Sequence, residues 1–193
     1  MTYTNVSMSD IAIYSGSFNP LHIGHLAIMK HMTEEAGFHY VYLVVSPKNP
    51  LKDSISSATG HERYEAAIEA VKRHEGLRVW VDDIELSMPE PHYTIRTLDA
   101  LKAREPENSF TLVIGADNLA DIRRWRDYDR ILGEYGVAVF PRTGHDLEEI
   151  KADLITENPS FKIELLEAEM VDISSTIIRD AIAEGSDASR WLM

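Results

Sequence analysis

Five short runs of apolar, often β-branched residues alternate along the chain with segments that have helical spacing. The runs occupy residues 11–14, 41–45, 77–81, 110–114 and 136–140. Within each run the apolar residues are consecutive, which is typical of parallel strands that are covered on both faces. The alternation therefore predicts an α/β fold with a mostly parallel central sheet and helices on both of its faces.

The intervening segments predict helices at 22–36, 61–74, 93–104 and 118–132, and two further helices follow at 146–157 and 174–184. A chain of 193 residues is long enough for one sizeable core, so we expect a single domain over residues 1–193. We expect residues 1–9 to form a flexible N-terminal segment. Residues 47–60, which contain prolines, serines and lysines, are expected to form a long loop.

The composition restricts the partners and the setting. The chain has no cysteine, so disulfides, thiolate zinc sites and cysteine nucleophiles are excluded, and a reducing, cytoplasmic setting fits. The first residues lack the pattern of a signal peptide, and no stretch is apolar for long enough to predict a membrane span. The formal net charge of −13 opposes general nucleic-acid binding, so any phosphate site must be locally positive.

Residues 16–25, with the sequence GSFNPLHIGH, join the first predicted strand to the first predicted helix. Gly16 would let backbone amides approach a phosphate, beside the free N–H groups of the helix start, although an ordinary turn glycine is the alternative. His22 and His25 share one face of the first turn. We interpret both as hydrogen-bond donors to phosphate oxygens. The alternatives are surface histidines, capping histidines or metal ligands. Gly24 predicts a close neighbour, because glycine inside a helical turn costs roughly 1 kcal/mol relative to alanine.

A second cluster of donors lies at residues 172–179, with the sequence DISSTIIR. Ser174, Ser175 and Thr176 begin the last predicted helix, and Arg179 follows about one turn later. Hydroxyls, helix amides and a guanidinium together could bind phosphate groups. An ordinary N-cap is the alternative for the hydroxyls, so the two clusters are informative only in combination.

In combination, the two motifs resemble those of the nucleotidyltransferase superfamily that joins a nucleoside triphosphate to a phosphate-bearing acceptor. The segments between them are similar to the bacterial nicotinate-nucleotide adenylyltransferase family, and the resemblance extends over about residues 11–183. The matching blocks are SPKNPLK at 46–52, HER at 61–63, YTIRTL at 93–98, IGADNL at 114–119 followed by Trp125, and FPRTG at 140–144.

The resemblance implies a Rossmann-like nucleotidyltransferase fold and transfer of an adenylyl group from ATP to nicotinate mononucleotide, giving deamido-NAD and pyrophosphate. It implies direct in-line attack on the α-phosphorus, with Mg²⁺ accompanying ATP and held mainly by phosphates and water. Catalytic roles are implied for His22, His25 and Arg179, with His25 nearer to the transferred phosphorus. The residues implied in ATP binding are Gly16, Ser17, Phe18, Asn19, Gly24, Gly115, Asp117, Ser174, Ser175 and Thr176. For Asp117, a contact with ribose hydroxyls and a cap on a helix starting at Asn118 are both open.

By the same resemblance, binding of nicotinate mononucleotide is assigned to Lys48, Asn49, Lys52, Tyr93, Thr94, Trp125 and Arg126. Trp125 would stack on the pyridine ring, or belong to the core or to an interface. The two lysines would meet an anionic substrate or lie on a solvated face. The chain departs from the family pattern at Asn19 and Arg96, where aspartate is more usual. It also departs at Arg126, which could pair with the nicotinate carboxylate.

Other acceptors and one other class of function stay open. Nicotinamide mononucleotide and phosphopantetheine are alternative acceptors for the same chemistry. A nucleotide-binding regulatory module without turnover is the alternative from another class. The presence of His22, His25 and Arg179 weighs against it, because a regulatory module does not require donors directed at a transition state. A homo-oligomer is also left open.

Overall fold

A six-stranded, fully parallel sheet forms the centre of the computed structural model, which describes residues 8–47, 58–168 and 173–193. The strand order is β3-β2-β1-β4-β5-β6. The strands are β1 (Asp10–Gly16), β2 (Tyr40–Val45), β3 (Val79–Asp82), β4 (Ser109–Gly115), β5 (Val137–Phe140) and β6 (Ile163–Leu165). The parallel α/β fold class predicted from the sequence is therefore confirmed.

The order in which the strands are added reverses between β1 and β4. Strand β1 pairs with β2 up to Gly16 and Val45, but its pairing with β4 ends at Ile13 and Leu112. Beyond Ile13 the two strands are no longer paired, at the carboxyl edge of the sheet. Open parallel sheets bind ligands in the crevice at such a reversal point, which directs attention to the end of β1.

Helices cover both faces of the sheet. They are α1 (Ile23–Glu34), α2 (Gly60–Lys72), α3 (Ile84–Ser87), α4 (Thr94–Arg104), α5 (Ala116–Ala120), α6 (Tyr128–Arg130), α7 (Leu147–Glu157) and α8 (Ser175–Ala183). Side chains alternate across the sheet along β1, so Ile11 and Ile13 belong to one buried cluster and Ala12 and Tyr14 to the other. The first cluster is shared with α4 and α7 and the second with α1 and α2.

The helix predicted at 118–132 is wrong as a continuous element. The chain forms α5, a 3₁₀ turn at Ile122–Arg124, α6 and a π-helical turn at Ile131–Tyr135. Trp125 is extended and Asp127 has a left-handed backbone (φ of 51°), so neither can continue a helix. The apolar spacing is helical, but separate turns bury the side chains that produced it.

The remaining predicted helices are present within two residues of their expected ends. Strand β6 and the short helix α3 did not stand out in the sequence pattern, because each is only three or four residues long. Residues 48–57 of the predicted loop lie outside the described residues, and Gly60 already belongs to α2. Most of the segment 1–9 also lies outside them. No helix in the part of the chain that the structure describes is long and apolar enough to cross a membrane.

Candidate active site

A cleft of about 650 Å³ opens at the carboxyl edge of the sheet, where β1 and β4 separate. The size is within the usual range for small-molecule sites. Strands β1 and β5 contribute their last residues, and the N-termini of α1 and α8 meet on the other side. Of the predicted ATP-site and catalytic residues, those that line the cleft are Gly16, Ser17, Phe18, His22, Gly24, His25, Asp117, Ser174, Ser175, Thr176 and Arg179.

Two helix N-termini supply the cleft with polarised amides. His22 is the N-cap residue of the twelve-residue helix α1, and Ser174 is the N-cap residue of the nine-residue helix α8. The side chain of Ser174 accepts a hydrogen bond from the amide of Ile177, so the predicted N-cap is confirmed. Unpaired N–H groups and the positive dipole end of a helix favour an anion, and two such ends share one cleft.

Gly16 ends β1 beneath an aromatic ring. A Cβ atom at Gly16 would lie 3.1 Å from the ring of Phe18. The backbone of Phe18 has a φ of 44°. The left-handed conformation of Phe18 turns the chain so that its ring packs back over the end of the strand. The ring also meets His25 edge-on, with centroids 5.2 Å apart. A side chain at Gly16 would therefore displace Phe18 and, through it, the support of His25.

The imidazoles of His22 and His25 stack, with centroids 3.7 Å apart. The backbone amide of His22 donates a hydrogen bond of 3.2 Å to Nδ1 of His25. Because Nδ1 accepts, a neutral His25 carries its proton on Nε2. His22 is 5% exposed, and its Nδ1 has no hydrogen-bond partner among the described residues. Local hydrogen bonding thus selects the tautomer in which His25 can donate from Nε2.

Both imidazoles are neutral at pH 7. Burial, followed by the positive charge of Arg142, lowers the pKa of His22 to about 4. Burial is also the main cause for His25, whose pKa falls to about 3 with further contributions from His22 and Arg142. Neutral rings can still donate hydrogen bonds to phosphate oxygens. The positive charge of the cleft therefore comes from its arginines and helix ends.

Gly24 lies between the two donor clusters. A Cβ atom there would be 3.1 Å from the His22 ring and 3.2 Å from Cγ2 of Ile173, which precedes α8. The close neighbour predicted from the sequence is confirmed. The absence of a side chain at Gly24 lets the two clusters approach each other.

A Gly24→Ala substitution separates packing from helix propensity. Alanine favours the helix by roughly 1 kcal/mol, so we expect no loss in the free energy of unfolding, measured by urea denaturation. The added methyl group pushes the His22 ring or Ile173 by a few tenths of an ångström. Because the hydrogen-bond donors are then misplaced, we expect a roughly tenfold fall in kcat for the adenylyl transfer that the resemblance implies. Gly133, whose Cβ would meet nothing within 4 Å, provides the control Gly133→Ala. Equal rates for Gly24→Ala and wild type would contradict the expectation.

Hydrogen bonds join the end of the chain to the loop after β1. Arg179 donates to the backbone carbonyl of Asn19 at 2.7 Å and to the hydroxyl of Thr176 at 3.0 Å. Ser175 donates to the carbonyl of Pro20 at 3.0 Å. These bonds join residues that are 155 and 160 positions apart in the sequence, so the two motifs form one unit. Asn19 itself does not line the cleft; its backbone carbonyl anchors Arg179.

Asp117 is in the cleft, but it does not cap a helix. Helix α5 begins at Ala116 with Gly115 as its N-cap, so the capping alternative at Asn118 is wrong. The Asp117 carboxylate accepts hydrogen bonds from Arg142 at 3.2 Å and pairs with Nε2 of His145 at 2.8 Å. Gly115 does not line the cleft and packs against Phe140.

Arg142 and Tyr14 are among the residues of this cleft that sequence reasoning missed. Arg142 follows β5, at the carboxyl edge where a ligand is expected, and the matching block FPRTG contained it without a role. Tyr14 lies beneath His25, and burial raises the pKa of its hydroxyl, which stays protonated. Position relative to a strand end would have identified Arg142, whereas the apolar strand pattern concealed Tyr14.

Among the described residues, the four predicted for the pyridine nucleotide, Tyr93, Thr94, Trp125 and Arg126, do not line this cleft. Tyr93 is 44% exposed and precedes α4, at whose first residue Thr94 lies. Trp125 packs partly buried against the core, as its alternative interpretation required, and the exposed Arg126 approaches Asp127 at 3.5 Å. Lys48, Asn49 and Lys52 lie outside the described residues. Arg96, one of the departures from the family pattern, donates to the carbonyls of Pro89 and Pro91 and so holds the turn before α4.

Comparisons with known proteins agree with this geometry. A family model described as cytidylyltransferase-like matches residues 13–181. The chain is 38% identical to a probable nicotinate-nucleotide adenylyltransferase of Porphyromonas gingivalis, over 93% of this chain and 87% of the relative. It is 36% identical to a probable nicotinate-nucleotide adenylyltransferase of Flavobacterium johnsoniae, over 92% and 88%. A solved structure, Plasmodium falciparum nicotinic acid mononucleotide adenylyltransferase complexed with NaAD, superposes with a TM-score of 0.77 at 20% identity, over 95% of this chain and 90% of that one.

A parallel sheet of this order, with paired histidines and a serine-rich helix start at its reversal point, defines a nucleotidyltransferase with a Rossmann-like fold. The chain belongs to the nicotinate-nucleotide adenylyltransferase family of enzymes.

Proposed function

We propose that the protein transfers the adenylyl group of ATP to nicotinate mononucleotide, giving deamido-NAD and pyrophosphate, as a step of NAD biosynthesis. An oxygen of the acceptor phosphate attacks the α-phosphorus of ATP, and the bond from that phosphorus to the bridging oxygen of pyrophosphate breaks. The observation that carries the proposal is the unit formed by residues 16–25 and α8. It brings neutral and cationic hydrogen-bond donors, which can bind phosphate groups, into one cleft. Such a reaction depends on positioning and charge stabilisation more than on a protein nucleophile.

The donors divide by charge. His25 offers Nε2–H to an oxygen of the transferred phosphoryl group, where negative charge accumulates in the transition state, and His22 packs against it. Arg179 and Arg142 supply positive charge to the departing phosphates. Ser174, Ser175 and Thr176 add amides and hydroxyls at the start of α8. This division fits a chain whose overall charge of −13 repels ATP elsewhere.

The nucleoside has its own surroundings in the cleft. Asp117 can accept from ribose hydroxyls once Arg142 turns from it toward phosphate. An apolar wall of Ile28, Ala168, Ile173 and Ile177 suits the adenine base. The ribose contact predicted for Asp117 thus competes with its ion pair to Arg142.

Mg²⁺ enters the proposal as part of the ATP substrate. Among the described residues no group of three or more His, Asp or Glu side chains could hold a metal ion. The cleft carboxylate, Asp117, is already paired with Arg142 and His145. In this proposal phosphate oxygens and water hold the ion, which would offset charge on the triphosphate.

The acceptor is the open part of the reaction. The contacts with the pyridine nucleotide remain predictions for exposed Tyr93 and Arg126, for half-buried Thr94 and Trp125, and for Lys48, Asn49 and Lys52 outside the described residues. Nicotinamide mononucleotide is the second candidate acceptor. A single domain over residues 1–193, a cytoplasmic setting and a homo-oligomer likewise stay predictions.

The deciding experiment supplies the protein with ATP and Mg²⁺ and, in parallel, with nicotinate mononucleotide, nicotinamide mononucleotide or phosphopantetheine. Release of pyrophosphate and formation of the dinucleotide are measured by chromatography. We expect the highest kcat/KM with nicotinate mononucleotide. Product with nicotinamide mononucleotide alone would replace the acceptor, and ATP binding without any product would favour the regulatory module.

A further inference from the structure

Arg63 is a buried arginine beside the cleft that the proposed mechanism does not use. Its residue exposure is 6%, and it belongs to the first turn of α2. Its guanidinium donates to the backbone carbonyl of Ser17 and to that of Ser46, which follows β2. One side chain therefore holds the segments that leave two adjacent strands.

The two bonds continue the sheet beyond its last peptide pair. Strands β1 and β2 end at the pair Gly16 and Val45, and the amide of Ser46 still donates to the carbonyl of Gly16 at 2.9 Å. Beyond that point the strands offer no further pairing. The Arg63 guanidinium takes the next position, with one nitrogen on each chain. It fixes the direction in which the loop toward His22 and His25 leaves β1.

Local structure holds Arg63 in place. Thr59 caps α2 by accepting from the amide of Glu62, and the Glu62 carboxylate accepts from the amide of Thr59 at 2.6 Å. This reciprocal cap fixes the first helical turn. At Gly60, a Cβ atom would lie 2.7 Å from Leu86, so α2 begins in close contact with α3.

The charge of Arg63 has no acidic partner in the described ranges 8–47, 58–168 and 173–193. Other arginines there form ion pairs, for example Arg104 with Asp82 and Arg130 with Asp99, whereas Arg63 donates to carbonyl oxygens. A buried cation without a carboxylate costs free energy unless its hydrogen bonds are retained. Breaking the two bonds is therefore costly, and the loop position is held firmly.

We propose that Arg63 is a positioning residue for adenylyl transfer: by bridging the carbonyls of Ser17 and Ser46 it sets the loop that places His25 against the α-phosphorus. The proposal rests on the proposed function. Arg63 does not line the cleft, so it acts through the backbone rather than on substrate. Lysine at this position keeps the charge but cannot present two nitrogens in the fork geometry of arginine.

The test is a double-mutant cycle of Arg63→Lys with His25→Ala. In the wild-type background we expect Arg63→Lys to lower kcat roughly tenfold, as displacement of a catalytic group by a fraction of an ångström does, with less change in KM for ATP. In the His25→Ala background we expect less than a threefold further loss, because the group that Arg63 positions is already gone. A tenfold loss in both backgrounds would overturn the proposal, and so would an unchanged kcat.

The control Arg78→Lys separates positioning from stability. Arg78 also donates to a backbone carbonyl, that of Thr33. It immediately precedes β3, at the amino ends of the strands, whereas the cleft lies at their carboxyl ends. Rates are compared at equal folded fraction, which urea denaturation of each variant defines. We expect kcat to be unchanged in Arg78→Lys. Equal losses in the two lysine variants would show that Arg63 is only structural.

Failure of the proposed function has a separate signature. If wild-type protein forms no dinucleotide, the reaction is wrong, and the cycle is then followed by the imidazole ¹⁵N resonances of His25. These are assigned by their absence in His25→Ala. We expect Arg63→Lys to shift them and Arg78→Lys to leave them in place. Unshifted resonances in Arg63→Lys would remove the positioning role whatever the reaction is.

Discussion

Replacing His25 with alanine is expected to lower kcat by roughly a hundred- to a thousandfold, the loss measured when one transition-state donor is removed. The dissociation constant for ATP should change much less, because the variant retains the arginines and the N-terminus of α8 in the cleft, to which the proposal assigns the triphosphate. Steady-state kinetics give kcat, and titration calorimetry with a non-hydrolysable ATP analogue gives the affinity. Loss of affinity with unchanged kcat would make His25 a ground-state binding residue.

His39 offers a matched control for this variant. Its Nδ1 accepts a backbone hydrogen bond from the amide of Asp10 at 3.0 Å, as Nδ1 of His25 does from His22, but at the start of β1. We expect His39→Ala to retain wild-type kcat. Because burial lowers the pKa of His25 to about 3, the ring is neutral at pH 6 and at pH 8, and the effect of His25→Ala should be equal at the two values.

The sequence predicted the elements that repeat a simple pattern. Continuous apolar strands and capped helices depend on local residue type, and five of the six strands followed from it. The region after β4 did not. Apolar residues recur there every three positions, as on a helix, at Leu119, Ile122, Trp125 and Tyr128, but the extended backbone of Trp125 and the left-handed backbone of Asp127 interrupt the helix. Apolar periodicity records which side chains are buried, and several short turns can bury them as well as one helix.

Some residues of the candidate site could be predicted from the sequence, and others depend on the fold. His22, His25 and the serines of α8 were identified because their motifs are contiguous. The Arg63 bridge depends on contacts between distant segments, which no local pattern encodes. Arg142 could have been found from its position after β5, but its pairing with Asp117 could not. Gly24 lies between these cases: its helix-breaking character predicted a neighbour, and only the fold could name Ile173.

Replacing Arg179 with methionine should lower kcat/KM for ATP more than a hundredfold. The variant loses a cation in the cleft and also the bond to the carbonyl of Asn19, which holds α8 against the loop after β1. Lysine should restore part of the rate, because it returns the charge but cannot reach Asn19 and Thr176 together. Steady-state kinetics on both variants measure the two contributions.

The lysine variant distinguishes charge from connection. If charge alone matters, Arg179→Lys recovers the wild-type kcat/KM, and the link between the two motifs has no catalytic part. If the link matters, Arg179→Lys stays at least tenfold below wild type, because the donors of α8 are no longer aligned with His25. The exposed Arg124, paired with Asp121 outside the cleft, supplies the control Arg124→Met, which should leave kcat/KM unchanged. If lysine restores the full kcat/KM, residues 16–25 and α8 contribute only through their own contacts with ATP, and the hydrogen bonds between them do not contribute to the rate.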